Sequence, residues 1–352
     1  MKYGLLYISD YRPEVHGSET KYYSDLLEEI DLAESLGFEG VFFAEHYIGG
    51  YGFPAPTVLA TAAAQRTQRI RVGTGVALLP LSNPVQIAEQ YAMVDILSGG
   101  RLDFGIGRGV LKAEYDLFGI DEAESQERYQ EALDVIRKTW TQDLLNHEGK
   151  HYQFHEVAPH PHPVQRPTPP IWAACAASPE SFVWAGSQGF NPMLAPFAFI
   201  DRSILVKLLK LYWDARAEAG FDLEAAEVLG VYHLYLDPSD NRAQEVGERH
   251  YREYWKFFAE LNQKATFESK AYSRYRGSLD EVLLAAPYKD LDDNDCVMFG
   301  SPEHCAERLT RASRDFGITY PIFEVNFGGI GHEEAMRSIA MLAEQVMPKV
   351  ID

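Results

Sequence analysis

Basic residues are the first shortage. The chain of 352 residues carries 32 Lys and Arg against 52 Asp and Glu, a formal net charge of −20. A surface this acidic repels nucleic acid and anionic membranes, so no partner of either kind is expected. An anionic ligand would need a local cation of its own. Cysteine is also scarce. Cys175, Cys296 and Cys305 make an odd set with no CxxC pair, which argues against a disulfide framework or structural zinc and for a reducing compartment. No stretch approaches 18 uninterrupted apolar residues, so no membrane span is expected. The opening MKYGLLYISDYRPE has an apolar run too short for a signal sequence and no small-residue cleavage site. These absences together point to a cytoplasmic protein. There is no low-complexity tract, no short repeat and no nicotinamide-binding fingerprint; GIGRG brings its third glycine too early for one.

What is present is an alternation of strand-like and helix-like segments. YGLLYIS from Tyr3, GVFFAEH from Gly40, RIRVGTGVALLP from Arg69 and RLDFGIG from Arg101 read as the first four strands. The helix after the first places Leu26, Ile30, Ala33 and Leu36 on one face and stops at Gly37. The third helix has the clearest caps: Asn83, then Pro84 at the first helical position, a face of Ile87, Tyr91, Val94 and Leu97, and Gly99–Gly100 at its end. After residue 140, HEGKHYQFHEV reads as an inserted hairpin and APHPHPVQRPTPP as an extended connector, an insertion near 142–168. IWAACA, NPMLAP, VLGVYHLYL and YPIFEVNF supply strands five to eight. The stretch 262–295 contains no clean strand; following strand seven, it is expected to be a lid. Eight βα units in one chain predict an α/β fold, a (β/α)8 TIM barrel with insertions, in a single domain over 1–352; an open doubly wound sheet is the competing arrangement.

Functional residues of such a barrel gather at the C-terminal ends of the strands. Strand four alternates Leu102, Phe104 and Ile106 with Asp103, Gly105 and Gly107, so the glycine face should look inward and leave space at the mouth for a flat ring. Arg108 follows between two glycines, where its guanidinium could hold a phosphate; the bland alternative is a turn with a surface arginine. Strand two ends in Glu45, His46 and Tyr47, a carboxylate and an imidazole suited to acid–base work, or else a solvated loop pair. Strand five runs through Ala176 and Ala177 to Ser178–Pro179, a helix start with free N–H groups, although most such starts bind nothing. His147, His151 and His155 would form a metal-binding face on a helix, but the surrounding residues read as strand, and no metal site is expected.

In their order along the chain, GFEGVFFAEHY, RIRVGTGVALLPLSNPVQIAEQYAMVDILSGGRLDFGIGRG, LFGID, PPIWAACAASPES and GSPEHCAERL resemble the bacterial luciferase-like family of flavin-dependent monooxygenases over nearly the whole length. The resemblance implies the barrel already read from the alternation. It implies that Arg108 binds the phosphate of FMN, supported by Val110 and by the backbone at Ala176, Ala177 and Ser178. Gly107 and the Gly75–Val76 segment would lie against the flavin ring, the latter often through a non-proline cis peptide. His46 would handle protons, with Glu45 beside the ring. Tyr47 stands where the luciferases have a second histidine, which removes the case for light emission. Gln126 stands where they have a second phosphate arginine, leaving Arg128 as a substitute.

The implied reaction consumes reduced FMN and O2 and puts one oxygen atom into a small organic substrate such as an aldehyde, ketone or sulfonate. With no nicotinamide site in the chain, reduced FMN would come from a separate flavin reductase, and a homodimer is implied. Two alternatives stand beside this reading: a deazaflavin-dependent hydride-transfer enzyme of the same superfamily, and a non-catalytic flavin-binding subunit, against which Glu45, His46 and Arg108 count.

Overall fold

Eight parallel strands close on themselves: β1 (Gly4–Tyr7), β2 (Gly40–Phe43), β3 (Arg71–Thr74), β4 (Leu102–Gly107), β5 (Ile171–Cys175), β6 (Asn191–Leu194), β7 (Leu229–Leu236) and β8 (Tyr320–Glu324). Each pairs with the next in sequence, and β8 returns to β1 with Gly4 opposite Ile322. The computed structural model describes residues 1–47, 49–176, 178–262 and 279–351. The helices that cover the barrel are α1 (Glu19–Ser35), α2 (Pro56–Arg66), α3 (Pro84–Leu97), α4 (Ser125–Thr141), α5 (Pro179–Ser187), α6 (Arg202–Glu218), α7 (Asp240–Asn262), α8 (Pro302–Phe316) and α9 (His332–Met341). This is the (β/α)8 TIM barrel that the alternation predicts, and the open sheet is excluded by the β8–β1 pairing.

Strand alternation sorts the side chains into two cores. Leu6, Phe42, Trp172, Met193, Val231 and Ile322 fill the barrel. Leu5, Val41, Phe43, Leu102, Phe104 and Ile106 face the helices. Phe104 lies between the rings of Tyr91 on α3 and Trp140 on α4, with centroids 4.8 and 5.1 Å away. The caps of α3 form as read: the Asn83 side chain accepts the N–H groups of Val85 and Gln86, and Gly99 and Gly100 take positive φ of 69° and 84°.

Three local readings change. α1 begins at Ser18, whose side chain accepts the Lys21 N–H, earlier than its apolar pattern shows. Met298–Gly300 adds a short parallel strand beside the C-terminal half of β7; three residues are too few to show a period. Residues 263–278, most of the expected lid, lie outside the described residues. The remainder of that stretch is helical, at Leu279–Ala285 and Tyr288–Asp293. Asp292 and Asp295 in and after the second helix pair with Arg308 of α8, a long-range tie that local periodicity does not reveal. The hairpin is Leu145–Glu148 with Gln153–Val157. Its histidines meet carboxylates, His147 with Glu131 at 3.2 Å and His155 with Glu148 at 3.2 Å. No helix among the described residues is long and apolar enough to cross a membrane.

Candidate active site

The end of β2 carries two buried carboxylate contacts. Glu45 Oε2 accepts the Leu78 N–H at 3.0 Å, and its other oxygen accepts the Tyr47 hydroxyl. Burial pushes the Glu45 carboxyl above its usual range, against the pull of these two hydrogen bonds and of His46. His46 Nδ1 lies 3.0 Å from Glu114 Oε1, and the same oxygen accepts the Tyr47 N–H at 2.9 Å. Glu114 is wholly buried, and its Oε2 has no hydrogen-bond partner among the described residues. The other side of the imidazole is covered by Tyr51, ring centroids 4.7 Å apart. A carboxylate held on one ring nitrogen fixes the orientation of the imidazole.

β3 and β4 separate just below the mouth. Gly73 is opposite Asp103, while Ala77 is opposite Ile106, so strand three spends one residue more than strand four over this interval. The surplus is a bulge, a device that re-aims side chains at barrel rims. The Gly75–Val76 peptide inside it is cis, as the resemblance implies. Thr74 bridges the gap: its hydroxyl donates to the Gly105 carbonyl at 2.7 Å and accepts the Gly105 N–H at 3.0 Å. The bulge turns Val76 into the barrel mouth. A Cβ on Gly107 would come within 2.3 Å of Val76 Cγ2, so only glycine fits there. The open space expected over Gly107 is thus taken by Val76, and a flat ring would rest on Val76 rather than on the glycine backbone.

Arg108 leaves the end of β4 partly buried, followed by Gly109 at φ 91°. Its carbonyl accepts the Tyr115 hydroxyl. Its charge lies close enough to Tyr129 of α4 to act on that phenol. Val110 packs against the outer core. On the adjacent strand end, Ala176 is partly buried and Ser178 caps α5 by accepting the Ser181 N–H at 3.3 Å. Ala177 lies outside the described residues. Arg128 is paired with Glu124, the residue just before α4, at 2.9 Å. One segment therefore carries both ends of the candidate site: Arg108, whose charge acts on Tyr129, and Glu114, in the short helix Lys112–Phe118, against His46.

Sequence reading missed Glu114, Tyr51 and a deeper pair, His233 with Glu324. Nothing local marks Glu114, because its contact depends on how the loop folds back. His233 and Glu324 did carry a signal, as polar residues at inward positions of otherwise apolar strands.

A family model described as luciferase-like monooxygenase matches residues 1–320. The oxygenase component of flavin-dependent trigonelline monooxygenase from Acinetobacter baylyi is 29% identical over 94% of this chain and 91% of that protein. The 4-hydroxyprotoasukamycin monooxygenase of Streptomyces nodosus subsp. asukaensis is 30% identical over 92% and 86%. Among solved structures, the monooxygenase RslO1 from Streptomyces bottropensis superposes with a TM-score of 0.84 at 28% identity, covering 99% of each chain. By sequence and by fold, the chain belongs to the luciferase-like monooxygenase family.

Proposed function

We propose that this flavin-dependent monooxygenase takes reduced FMN from a separate flavin reductase and uses O2 to place one oxygen atom in a small organic substrate. The observation that carries the reading is the single segment after β4 that begins with Arg108, next to the strand leading into α5, and brings Glu114 against His46. An anion fits the first end: Arg108 offers a guanidinium fork, and α5 adds the partial positive charge of a helix start capped by Ser178. Ala176, Ala177 and Val110 would flank the phosphate. A flat ring fits the middle, resting on Val76, which covers Gly107, with Gly75 behind. When bound, reduced FMN supplies the electrons that activate O2. The chain supplies the rest. Arg108 binds, the bulge at Gly75–Val76 orients, Glu45 holds that bulge through Leu78, and His46, steadied by Glu114, moves a proton at Nε2.

The separate reductase is supported by the Acinetobacter relative, which is itself an oxygenase component. The reading also includes a cytoplasmic homodimer. Met93, Ile96 and Leu97 of α3 share one helical stripe and are 52%, 41% and 45% exposed, an apolar face suited to a second copy.

The test is an anaerobic titration of the whole chain with reduced FMN, reduced riboflavin and a reduced deazaflavin, followed by turnover under labelled O2. Reduced FMN should bind best, and riboflavin should lose the Arg108 contact. Arg108→Ala should weaken FMN by about 2–3 kcal/mol, roughly 30- to 150-fold, and leave riboflavin unchanged. Tight deazaflavin binding with no labelled oxygen in any product would replace this reading with hydride transfer.

A further inference from the structure

One polar pair inside the barrel has no part in the mechanism above. His233 of β7 and Glu324 of β8 are register partners on adjacent strands, and both face inward. They are 1% and 0% exposed. His233 Nε2 lies 3.2 Å from Glu324 Oε2, yet the contact lacks hydrogen-bond alignment. Both ring nitrogens and both carboxylate oxygens are left without a hydrogen bond among the described residues. One layer below, the same two strands set Val231 against Ile322. An apolar pair would be the cheaper filling here too, because a buried ion pair seldom stabilises a fold and an unmatched buried polar atom costs its full desolvation. Four such atoms together call for a polar group that the described residues do not supply.

The surroundings describe that group's carrier. Phe197, Tyr251, Tyr254, Trp255 and Phe327 surround the His233 ring, with centroids 4.8 to 6.2 Å away. Four of these rings are buried. Phe197 is partly exposed, and with Ile8 and Val76 it packs on the upper side of the inner core. Val76 is the residue on which the flavin ring would rest; Phe197 borders the same inner core and also touches the His233 ring. Two carboxyl groups bear on the Tyr254 hydroxyl: Glu324, and Asp10, which is itself paired with Arg12 at 3.1 Å.

Resting on the monooxygenase reading, we propose that His233 and Glu324 are the recognition pair for a hydroxyl group on an aromatic substrate that enters past Phe197. In every protonation state the pair keeps one imidazole N–H to donate and one carboxyl oxygen to accept. A hydroxyl is the smallest group that uses both at once. A ketone or aldehyde uses only the donor. A carboxylate or sulfonate uses only the donor and meets Glu324 as a like charge. The five rings suit a flat apolar body. The pair thus sets the substrate class by one polar feature at the end of an aromatic slot, on the barrel wall across from the flavin phosphate.

The test uses three probes on the whole chain, by calorimetry with oxidised FMN present: 2-naphthol, 2-methoxynaphthalene and 2-naphthoate. The hydroxyl probe should bind about tenfold or more tighter than either of the others. In the double variant His233→Leu, Glu324→Met, which replaces the pair by apolar groups of similar size, that preference should vanish, with FMN affinity unchanged. Equal binding of the three probes, no binding of any, or a preference that survives in the double variant overturns the proposal. The ranking on the unaltered chain decides even where the variant does not fold. On the unaltered chain, no FMN binding together with the naphthol preference would strike the monooxygenase reading and leave the hydroxyl recognition standing.

Discussion

At the scale of single residues, the site depends on Glu114 doing two things with one oxygen. It faces His46 Nδ1 at 3.0 Å and accepts the Tyr47 N–H at 2.9 Å. The first contact aims the imidazole; the second fixes the backbone that carries it. Replacing His46 by Ala should cost roughly 100-fold in turnover with flavin affinity nearly unchanged, the size expected for a positioned acid–base group. Glu114→Gln keeps an oxygen for Tyr47 but removes the charge facing His46, and should cost about tenfold in turnover. The two changes act on one device. The double variant should therefore be no slower than His46→Ala alone, since residues in one network do not add. Single-turnover rates at saturating reduced FMN check this; additive losses would mean that Glu114 works through something other than His46. The contrast between the two residues also shows what a sequence can reveal. His46 and Arg108 were legible because each ends a strand, and strand ends are where a barrel keeps its chemistry. Glu114 was not, because it meets His46 only after the chain has left β4, passed Gly109 and turned back as a short helix.

At the scale of elements, the mouth is shaped by how β3 and β4 part. Thr74 holds both the N–H and the C=O of Gly105 through one hydroxyl, across the bulge that turns Val76 inward. Thr74→Val preserves shape and removes both bonds, leaving two buried backbone groups unmatched. It should destabilise the fold by about 2 kcal/mol or more and weaken FMN binding, whereas a purely structural role would leave affinity untouched. Urea unfolding and a flavin titration on the same sample measure the two effects. Strand three was read as one continuous segment because strand-like residues run on past Gly75 to Leu79; the single extra residue becomes visible only against its neighbour's register. The well-capped α3 was legible end to end for the opposite reason, since Asn83, Pro84, Gly99 and Gly100 act locally.

A second inter-element tie joins the first and last helices of the barrel. His332 at the start of α9 lies 3.0 Å from Glu29 of α1, and that hydrogen bond raises the His332 pKa above its ordinary value of 6.5. A raised folded value means that the tie stabilises fully below the unfolded pKa and fades as pH rises through the folded one. The melting-temperature advantage of the native chain over His332→Gln should therefore be complete below the ordinary histidine value and shrink as pH rises through the raised one. A constant difference would show that the contact is packing alone.

At the scale of the whole molecule, the net charge of −20 opposes the anion that the site is proposed to bind. Asp10, Glu45, Glu114 and Glu324 add buried acidic groups around the C-terminal mouth itself. Arg108 acts over a few ångströms, while the field of the whole chain reaches a Debye length, about 30 Å at 10 mM salt and about 8 Å at 150 mM. The encounter with FMN is thus governed by repulsion and the bound state by a local cation. Raising salt between these limits should speed FMN association severalfold, the reverse of the usual steering effect, and leave neutral riboflavin unaffected. In Arg108→Ala the acceleration should be steeper, since the last attractive part of the path is gone. Stopped-flow association rates for both ligands across this range separate the two fields. An FMN rate that falls as salt rises would place the mouth under the control of Arg108 and its neighbours, with the acidic remainder of the surface too far away to be felt.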